Sequence, residues 1–430
     1  MNWICSQIGA REHYAIPRVL HRLGKLDSLY TDLWASPLWR EAGAMIGRPV
    51  LATRYHRDLE TARVENFNLT TLVDKAFGCG VGTNPYDWFL RVGSDFGRSV
   101  EASLQRRKKV DWSEIIFFGY DTGFLEAASF VKGRGGKAVV CQMDPSRFEV
   151  DLVKAEEKIW PGWAKRSAEV PESYFKRREG EWALADLVMV NSEWSRQALI
   201  QQGVKDDKII VVPLAYEMPK VERRVSKVEG FGNAENSHRP LSLVPRHLPS
   251  GTRLSTFDSR HPLRVLFLGQ VILRKGIQYL IEAARSLQNE PVHFDVVGPV
   301  GISEEAIRSA PGNMSFHGAI SRDKAAGFFA KADLFVLPTL SDGFALTQIE
   351  AMAHGVPVIT TPNCGVVVSD GSDGVIVSER DACQLADALK SLIESPERLS
   401  RMGEAARLKA NQFGLQQLGE NLELVESRLK

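Results

Sequence analysis

The chain has 430 residues, of which 44% are hydrophobic and 25% charged, and its formal net charge is +1. That composition belongs to an ordinary folded protein, and its near-neutral balance gives no electrostatic reason to expect nucleic acid or an acidic partner. The length exceeds what one hydrophobic core usually serves, so two domains of about 200 residues each are expected.

The chain opens with a short apolar strand, Trp3-Ile4-Cys5, a loop through Gly9 and a helix from about Arg11 to Leu23. Gly24 ends that helix, and Ser28 to Leu33 reads as the second strand. Between 35 and 110 the pattern is weaker, with helical pieces at Asp87 to Val92 and Phe96 to Gln105. Gly78-Cys79-Gly80-Val81-Gly82 has no strand before it, so it reads as a turn rather than a phosphate loop. Arg106-Arg107-Lys108-Lys109 reads as a solvated helix end. Glu114 to Gly119 and Lys137 to Gln142 are strands joined by a helix at Gly123 to Lys132, an order that implies parallel pairing. The loops after them, Tyr120-Asp121-Thr122-Gly123 and Met143-Asp144-Pro145, therefore face the ligand side of a sheet. Residues 151–182 are helical around an interruption at Trp160-Pro161-Gly162-Trp163. A strand then ends at Asn191-Ser192, where Ser192 caps the next helix. Residues 218–262 are rich in Pro, Ser, Arg and Gly and read as a linker with an insertion.

The second half repeats the alternation. Leu263 to Gly269 is a buried strand, followed by Gln270-Val271-Ile272-Leu273-Arg274-Lys275-Gly276 and a helix from Ile277 to Leu287. A strand, a glycine turn and a cation before a helix suit a phosphate group. Further strands are expected at Val292 to Gly298 and Met314 to Gly318, with a helix from Arg322 to Ala332. The most informative stretch is Val336 to Ile359. Its apolar strand stops at Pro338, and Asp342-Gly343 is read as a helix start with Asp342 as cap. Leu346, Ile349, Met352 and Ala353 recur at helical spacing, and Gly355 closes the helix. The backbone N–H groups of Gly343, Phe344, Ala345 and Leu346 would face an anion such as a diphosphate. Asp342 and Glu350 border the same space, and carboxylates there suit neutral hydroxyls. From the residues alone, a capped helix with a solvated acid explains this stretch as well as a ligand site does.

The stretch resembles the signature of retaining glycosyltransferases of the GT-B fold, family 4. That signature is an acid, Gly-Phe-Gly-Leu, a Glu eight residues after the acid, and the tail Glu-Ala-Met-Ala-x-Gly-x-Pro-Val-Ile. Glu350 through Ile359 fits the tail residue for residue, while Asp342 replaces the first Glu and Ala345 the usual Gly. The resemblance implies an α/β chain of two doubly wound, Rossmann-like domains facing across a cleft. An acceptor-side domain would occupy 1–217, the linker 218–262 and a nucleotide-sugar-binding domain 263–412, with a last helix, 413–430, that crosses back in this fold. It further implies a hexosyltransferase-like enzyme that moves a sugar from a nucleoside-diphosphate sugar to an acceptor hydroxyl with retention. No metal or other cofactor is expected.

Carried over onto this sequence, Lys275, Asp342 and Glu350 are the catalytic candidates. Donor contacts fall on Gly269, Gln270, Arg274, Gly318, Gly343, Phe344, Ala345, Leu346 and Glu350. The acceptor side is represented by Gly9, Ala10 and Asp144. Departures from the family are Gln270 in place of an Arg, Met143 in place of a His, and Ala10 in place of the second Gly of a pair. They keep a rival open, a degenerate protein that binds a nucleotide sugar without transferring it. The acceptor, whether saccharide, lipid or small molecule, is not specified by these motifs.

The cysteines Cys5, Cys79, Cys141, Cys364 and Cys383 are scattered, which fits reduced thiols. The first residues lack the pattern of a signal peptide, and no run of about 18 apolar residues is present. A cytoplasmic location is expected. Relatives often rest on membranes through basic patches of the first domain, so weak peripheral contact at the inner membrane surface is the alternative role for Arg106 to Lys109.

Overall fold

The computed structural model describes residues 1–35, 54–68, 84–165, 168–217 and 261–430. The glycine-rich turn at 78–82 and almost all of the linker lie outside them. Two wholly parallel sheets organise the rest. The first contains β1 (Asn2–Gln7), β2 (Leu26–Thr31), β3 (Val64–Asn66), β4 (Ile115–Tyr120), β5 (Lys137–Gln142), β6 (Leu187–Val190) and β7 (Ile209–Val211), in the order β3-β2-β1-β4-β5-β6-β7. β4 is buried at all six positions, as a strand covered on both faces should be. The chain runs from β1 outward to β2 and β3, then returns to build the other half from β4. That reversal opens a crevice at the carboxyl ends of β1 and β4.

The second sheet contains β8 (Leu263–Leu268), β9 (Val292–Val297), β10 (Met314–Gly318), β11 (Leu334–Leu337), β12 (Val358–Thr360) and β13 (Gly374–Ile376), in the order β10-β9-β8-β11-β12-β13. Its reversal falls between β8 and β11, so the loops after those two strands share one crevice. These are the two loops on which the phosphate-site and acid motifs fall.

The first predicted helix starts later than its sequence pattern suggests. Glu12, His13 and Tyr14 have φ of 49°, 51° and 61°, and the α-helix α1 is Ala15–Arg22. Left-handed backbone costs a non-glycine residue about 1–2 kcal/mol, so this turn must be held by its surroundings. Tyr14 is fully buried, and the Tyr120 hydroxyl donates to Glu12 Oε1 at 3.3 Å. The two helical pieces expected after residue 85 are one helix, α2 (Pro85–Gln105), capped by Asn84. It lies against the turn after β4 because Gly93 and Gly97 have no side chains. A Cβ on Gly93 would stand 2.3 Å from the Thr122 carbonyl oxygen, and one on Gly97 2.2 Å from Glu126 Oε2. The basic run after α2 is not simply a solvated end. Arg107 is largely buried and pairs with Asp27 at 2.7 Å.

Two segments cross between the sheets. Helix α3 (Leu125–Lys132) stays with the first, but α4 (Arg147–Ile159) docks on the second. Its Glu156 is fully buried and accepts from Gln278 Nε2 at 2.9 Å, the Tyr279 hydroxyl at 2.5 Å and Arg380 Nε at 2.9 Å. Trp163 packs on the core of the second sheet, and Ser303 N–H donates to its carbonyl at 2.7 Å. Helices α5 (Glu172–Leu184) and α6 (Glu193–Gln201) return to the first sheet, with Ser192 capping α6 through the Ser195 amide. The second sheet carries α7 (Ile277–Ser286), α8 (Glu304–Arg308), α9 (Arg322–Phe329), α10 (Leu346–Ala353), α11 (Ala382–Ile393) and α12 (Pro396–Ala410). The last helix, α13 (Leu415–Leu429), lies on α1. It buries Leu418, Leu422, Val425 and Leu429 in the first core, and Lys25 pairs with its Glu426. Among the described residues no helix is long and apolar enough to cross a membrane.

Candidate active site

The crevice of the second sheet is built by backbone contacts between its two loops. After β8 the chain makes a 3-10 turn, Leu273–Lys275, and ends it on Gly276 at φ 73°. A Cβ there would stand 1.8 Å from the Pro338 carbonyl oxygen, so only glycine fits. The Leu340 amide donates to the Arg274 carbonyl at 2.8 Å, and the Thr339 hydroxyl donates to the same carbonyl at 3.1 Å. These bonds set both cations against the acidic loop. Arg274 Nη1 donates to the Ser341 carbonyl at 3.0 Å, and Lys275 Nζ donates to Asp342 Oδ2. Replacing Gly276 by Ala is expected to cost about 1–3 kcal/mol through the left-handed backbone alone. The clash with Pro338 adds to this, so a lower melting temperature should accompany a raised donor KM.

The acidic loop corrects the sequence reading in one respect. The helix does not open at Asp342-Gly343, and Asp342 is not its cap. Helix α10 begins at Leu346, after Ala345, and has no side-chain cap. Asp342 is instead held in the loop, its amide donating to the Asn363 carbonyl at 2.9 Å and its carboxylate taken by Lys275. The amides of Gly343, Phe344 and Ala345 donate no hydrogen bond among the described residues. Phe344 and Ala345 turn their side chains into the core, so only their backbone can serve a ligand. Glu350 is half-buried and begins the second turn of α10.

A carboxylate from the first half of the chain completes this crevice, and the motifs gave no sign of it. Glu149, in the first turn of α4, accepts from the Ser341 hydroxyl at 2.8 Å and faces Arg274 Nη1 at 3.4 Å. Trp194 Nε1 donates to the Ser341 hydroxyl at 3.1 Å. Gly343 meets the first domain directly, since a Cβ on it would stand 2.1 Å from the Met143 carbonyl oxygen. The only sequence signal for Glu149 is its place in the first turn of a helix after the cleft-side loop Met143-Asp144-Pro145.

Burial, with the Arg274 charge beside it, pushes the Lys275 ammonium down to about 7. Burial raises the Glu149 carboxyl against the pull of Arg274. The sign for Lys275 is that its charge is complete below about pH 7 and is lost as pH rises through that value. The kcat/KM for an anionic donor should therefore fall on the alkaline side. In Lys275→Arg that limb should flatten, because a guanidinium stays charged. A pH–rate profile of the two proteins checks this.

The remaining candidates are spread more widely. Gly269 ends β8, and its amide donates to the Val297 carbonyl at 2.9 Å; Gln270 is exposed beside it. Gly318 ends β10, an edge strand two positions from β8, and is not brought into contact with Lys275 or Asp342. Gly9, at φ 87°, ends the β1 loop and donates its amide to Asp32 Oδ1 at 2.8 Å; Ala10 follows it. Asp144 is engaged in structure. It accepts the Ser146 amide at 2.8 Å and two bonds from Arg178, at 2.7 and 2.9 Å. No group of three or more His, Cys, Asp or Glu is placed to hold a metal among the described residues.

Two parallel sheets, each with its reversal facing the other half of the chain, define a GT-B architecture. Solved structures of similar shape agree over the whole chain. A sucrose-phosphate synthase from Thermosynechococcus elongatus superposes with a TM-score of 0.62 at 15% identity, covering 100% of this chain and 99% of that one. HepE from Anabaena, in complex with UDP, gives 0.59 at 13% identity, covering 99% and 100%. Residues 262–395 match the family described as Glycosyl transferases group 1, so the second domain is a group 1 glycosyl transferase domain. A curated relative, the D-inositol 3-phosphate glycosyltransferase of Arthrobacter sp. (strain FB24), is 32% identical over 191 residues, 41% of this chain and 43% of the relative. The alpha-D-kanosaminyltransferase of Streptomyces kanamyceticus is 29% identical over 168 residues, 37% of this chain and 44% of the relative. The matches thus span less than half the length of these curated relatives.

Proposed function

We propose that the chain is a retaining glycosyltransferase that moves a sugar from a nucleoside-diphosphate sugar to an acceptor hydroxyl, without a metal. The observation that carries this reading is the pairing of Arg274 and Lys275 with carboxylates at the reversal of the second sheet, beside three unused amides. Two buried cations held only by Glu149 and Asp342 are a site for a stronger anion. A donor diphosphate would take over from those carboxylates as their partner. Glu350, on the helix behind the loop, suits the ribose hydroxyls, and Asp342, once released, the hydroxyls of the sugar. Neighbours of this fold in complex with UDP, and with UDP-glucose, make uridine nucleotides the first donors to try.

The chemistry needs little from side chains. The bond from the anomeric carbon to the diphosphate oxygen breaks, and the acceptor oxygen bonds that carbon on the same face. The acceptor proton passes to the departing phosphate oxygen. Negative charge grows on the diphosphate, where Lys275, Arg274 and the Gly343–Ala345 amides stand ready without reorganisation. Those two cations and the amides supply the charge compensation that a metal would otherwise give. Contact of Gly343 with Met143 closes the domains over the reacting atoms and excludes water.

The test is a panel of UDP-, GDP- and ADP-sugars with mixed acceptors. Release of the nucleoside diphosphate is the readout, and NMR assigns the anomeric configuration of the product. Transfer with retention, unaffected by a chelator, is expected. Nucleotide binding without release on any acceptor would favour the degenerate binder, and an inverted product would refute retention.

A further inference from the structure

The reversal of the first sheet contains a cavity that the motifs did not point to. It has a volume of about 150 Å³ and lies between the end of β1, the turn after β4 and the inner face of α2. A volume of this order holds one six-membered ring. Its position is the one that parallel sheets use for ligands, outside the carboxyl ends of the strands where the order reverses.

Its lining combines aromatic faces with unpartnered polar atoms. Trp88, Phe96 and Tyr120 supply the rings. Ser6 and Gln7, at the end of an otherwise apolar strand, are buried, and both line the cavity. The Ser6 hydroxyl, Gln7 Oε1 and Trp88 Nε1 have no hydrogen-bond partner. Gln7 is not free to swing away, because its Nε2 donates to the Gly9 carbonyl at 2.8 Å. The three atoms are an either-way hydroxyl, an acceptor and a donor, an assortment that an apolar ligand leaves unsatisfied. A ring bearing hydroxyls answers all of them while its C–H faces lie on the aromatics.

The wall is also fixed. Glu181 accepts from the Thr122 amide at 2.8 Å, and Arg177 Nε donates to the Thr122 carbonyl at 2.7 Å. Gly93 lets α2 close on the same residue. The cavity is joined to the cleft through Arg178, which binds Asp121 on the cavity wall and Asp144 on the loop that touches Gly343.

From these observations we infer that the cavity binds a single uncharged, polyhydroxylated six-membered ring, and that this ring is the acceptor. The role as acceptor rests on the transferase reading; the binding itself does not.

The test is saturation-transfer NMR on the full chain with myo-inositol, methyl α-D-glucoside and cyclohexanol, each alone and with UDP present. At least one of the two polyols should be saturated, and cyclohexanol should not. Val92→Trp, which fills the cavity from α2, should abolish the polyol signal and leave UDP saturated. Ser6→Ala, a smaller change, should weaken the polyol by about fivefold, the worth of one ordinary hydrogen bond. A polyol signal that survives Val92→Trp, or saturation by cyclohexanol alone, would overturn the inference, as would a wild-type protein that saturates neither polyol. Loss of UDP binding in the wild type, with the polyol still bound at Ser6, would count against the transferase reading and not against the cavity.

Discussion

Lys275→Ala is expected to lower kcat by about 10²–10³-fold, the usual effect of removing one preorganised group from developing charge. Donor KM should change far less, since Arg274 and the loop amides remain. The effect is large because Lys275 is buried against Asp342. Without the ammonium, the Asp342 carboxylate would face the diphosphate unopposed just as charge grows there. Lys275→Arg should keep part of the activity, its charge intact but its shape altered. Single-turnover kinetics with a saturating donor separate the chemical step from binding. Equal single-turnover rates for Lys275→Ala and the wild type would remove Lys275 from the catalytic group.

The second large effect concerns stability. Arg178 is buried between Asp121, at 2.6 Å, and Asp144, at 2.7 Å. Burial raises the Asp121 carboxyl. It raises Asp144 as well, but Arg178 more than offsets this and holds Asp144 below the usual carboxylate range. Arg178→Met keeps the bulk and removes the charge, leaving two neighbouring buried carboxylates unpaired. A loss of about 3–5 kcal/mol is expected, as for other broken buried pairs. The pH dependence follows from the signs. In the wild type, the Asp144 contribution is present at neutral pH and lost as pH falls through its lowered folded value. In the variant both carboxyls are raised, so its deficit should be greatest at neutral pH and shrink in acid. Denaturant unfolding at pH 7 and pH 4 measures both. A deficit that grows in acid would contradict the assignment.

The sequence was most legible where one residue type answers one local demand. Apolar runs such as Leu263 to Leu268 and Lys137 to Gln142 marked strands within a residue or so, because a strand covered on both faces has few alternatives. Gly276 and Lys275 were found by their pattern, and the structure sets them beside Asp342. Failures came where distant parts of the chain decide. The start of α10 moved from Asp342 to Leu346 because a lysine 67 residues earlier takes the carboxylate that would have capped it. The left-handed turn at Glu12 to Tyr14 departs from local preference and is held by Tyr120, on another strand. Glu149 reaches Arg274 only because α4 docks on the far domain, which no periodicity within α4 reveals. Ser6 and Gln7 carried a faint signal, two polar residues closing an apolar strand, whose meaning depends on α2 lying over them.

The central claim is that a nucleoside diphosphate sits at the reversal of the second sheet, between the loops after β8 and β11. Hydrogen exchange of the whole chain, with and without a saturating nucleoside diphosphate chosen from UDP, GDP and ADP, tests it most directly. Protection confined to residues 270–277 and 340–350, and lost in Glu350→Ala, is the expected result. Protection elsewhere in the chain, or none with any of the three nucleotides, would contradict it.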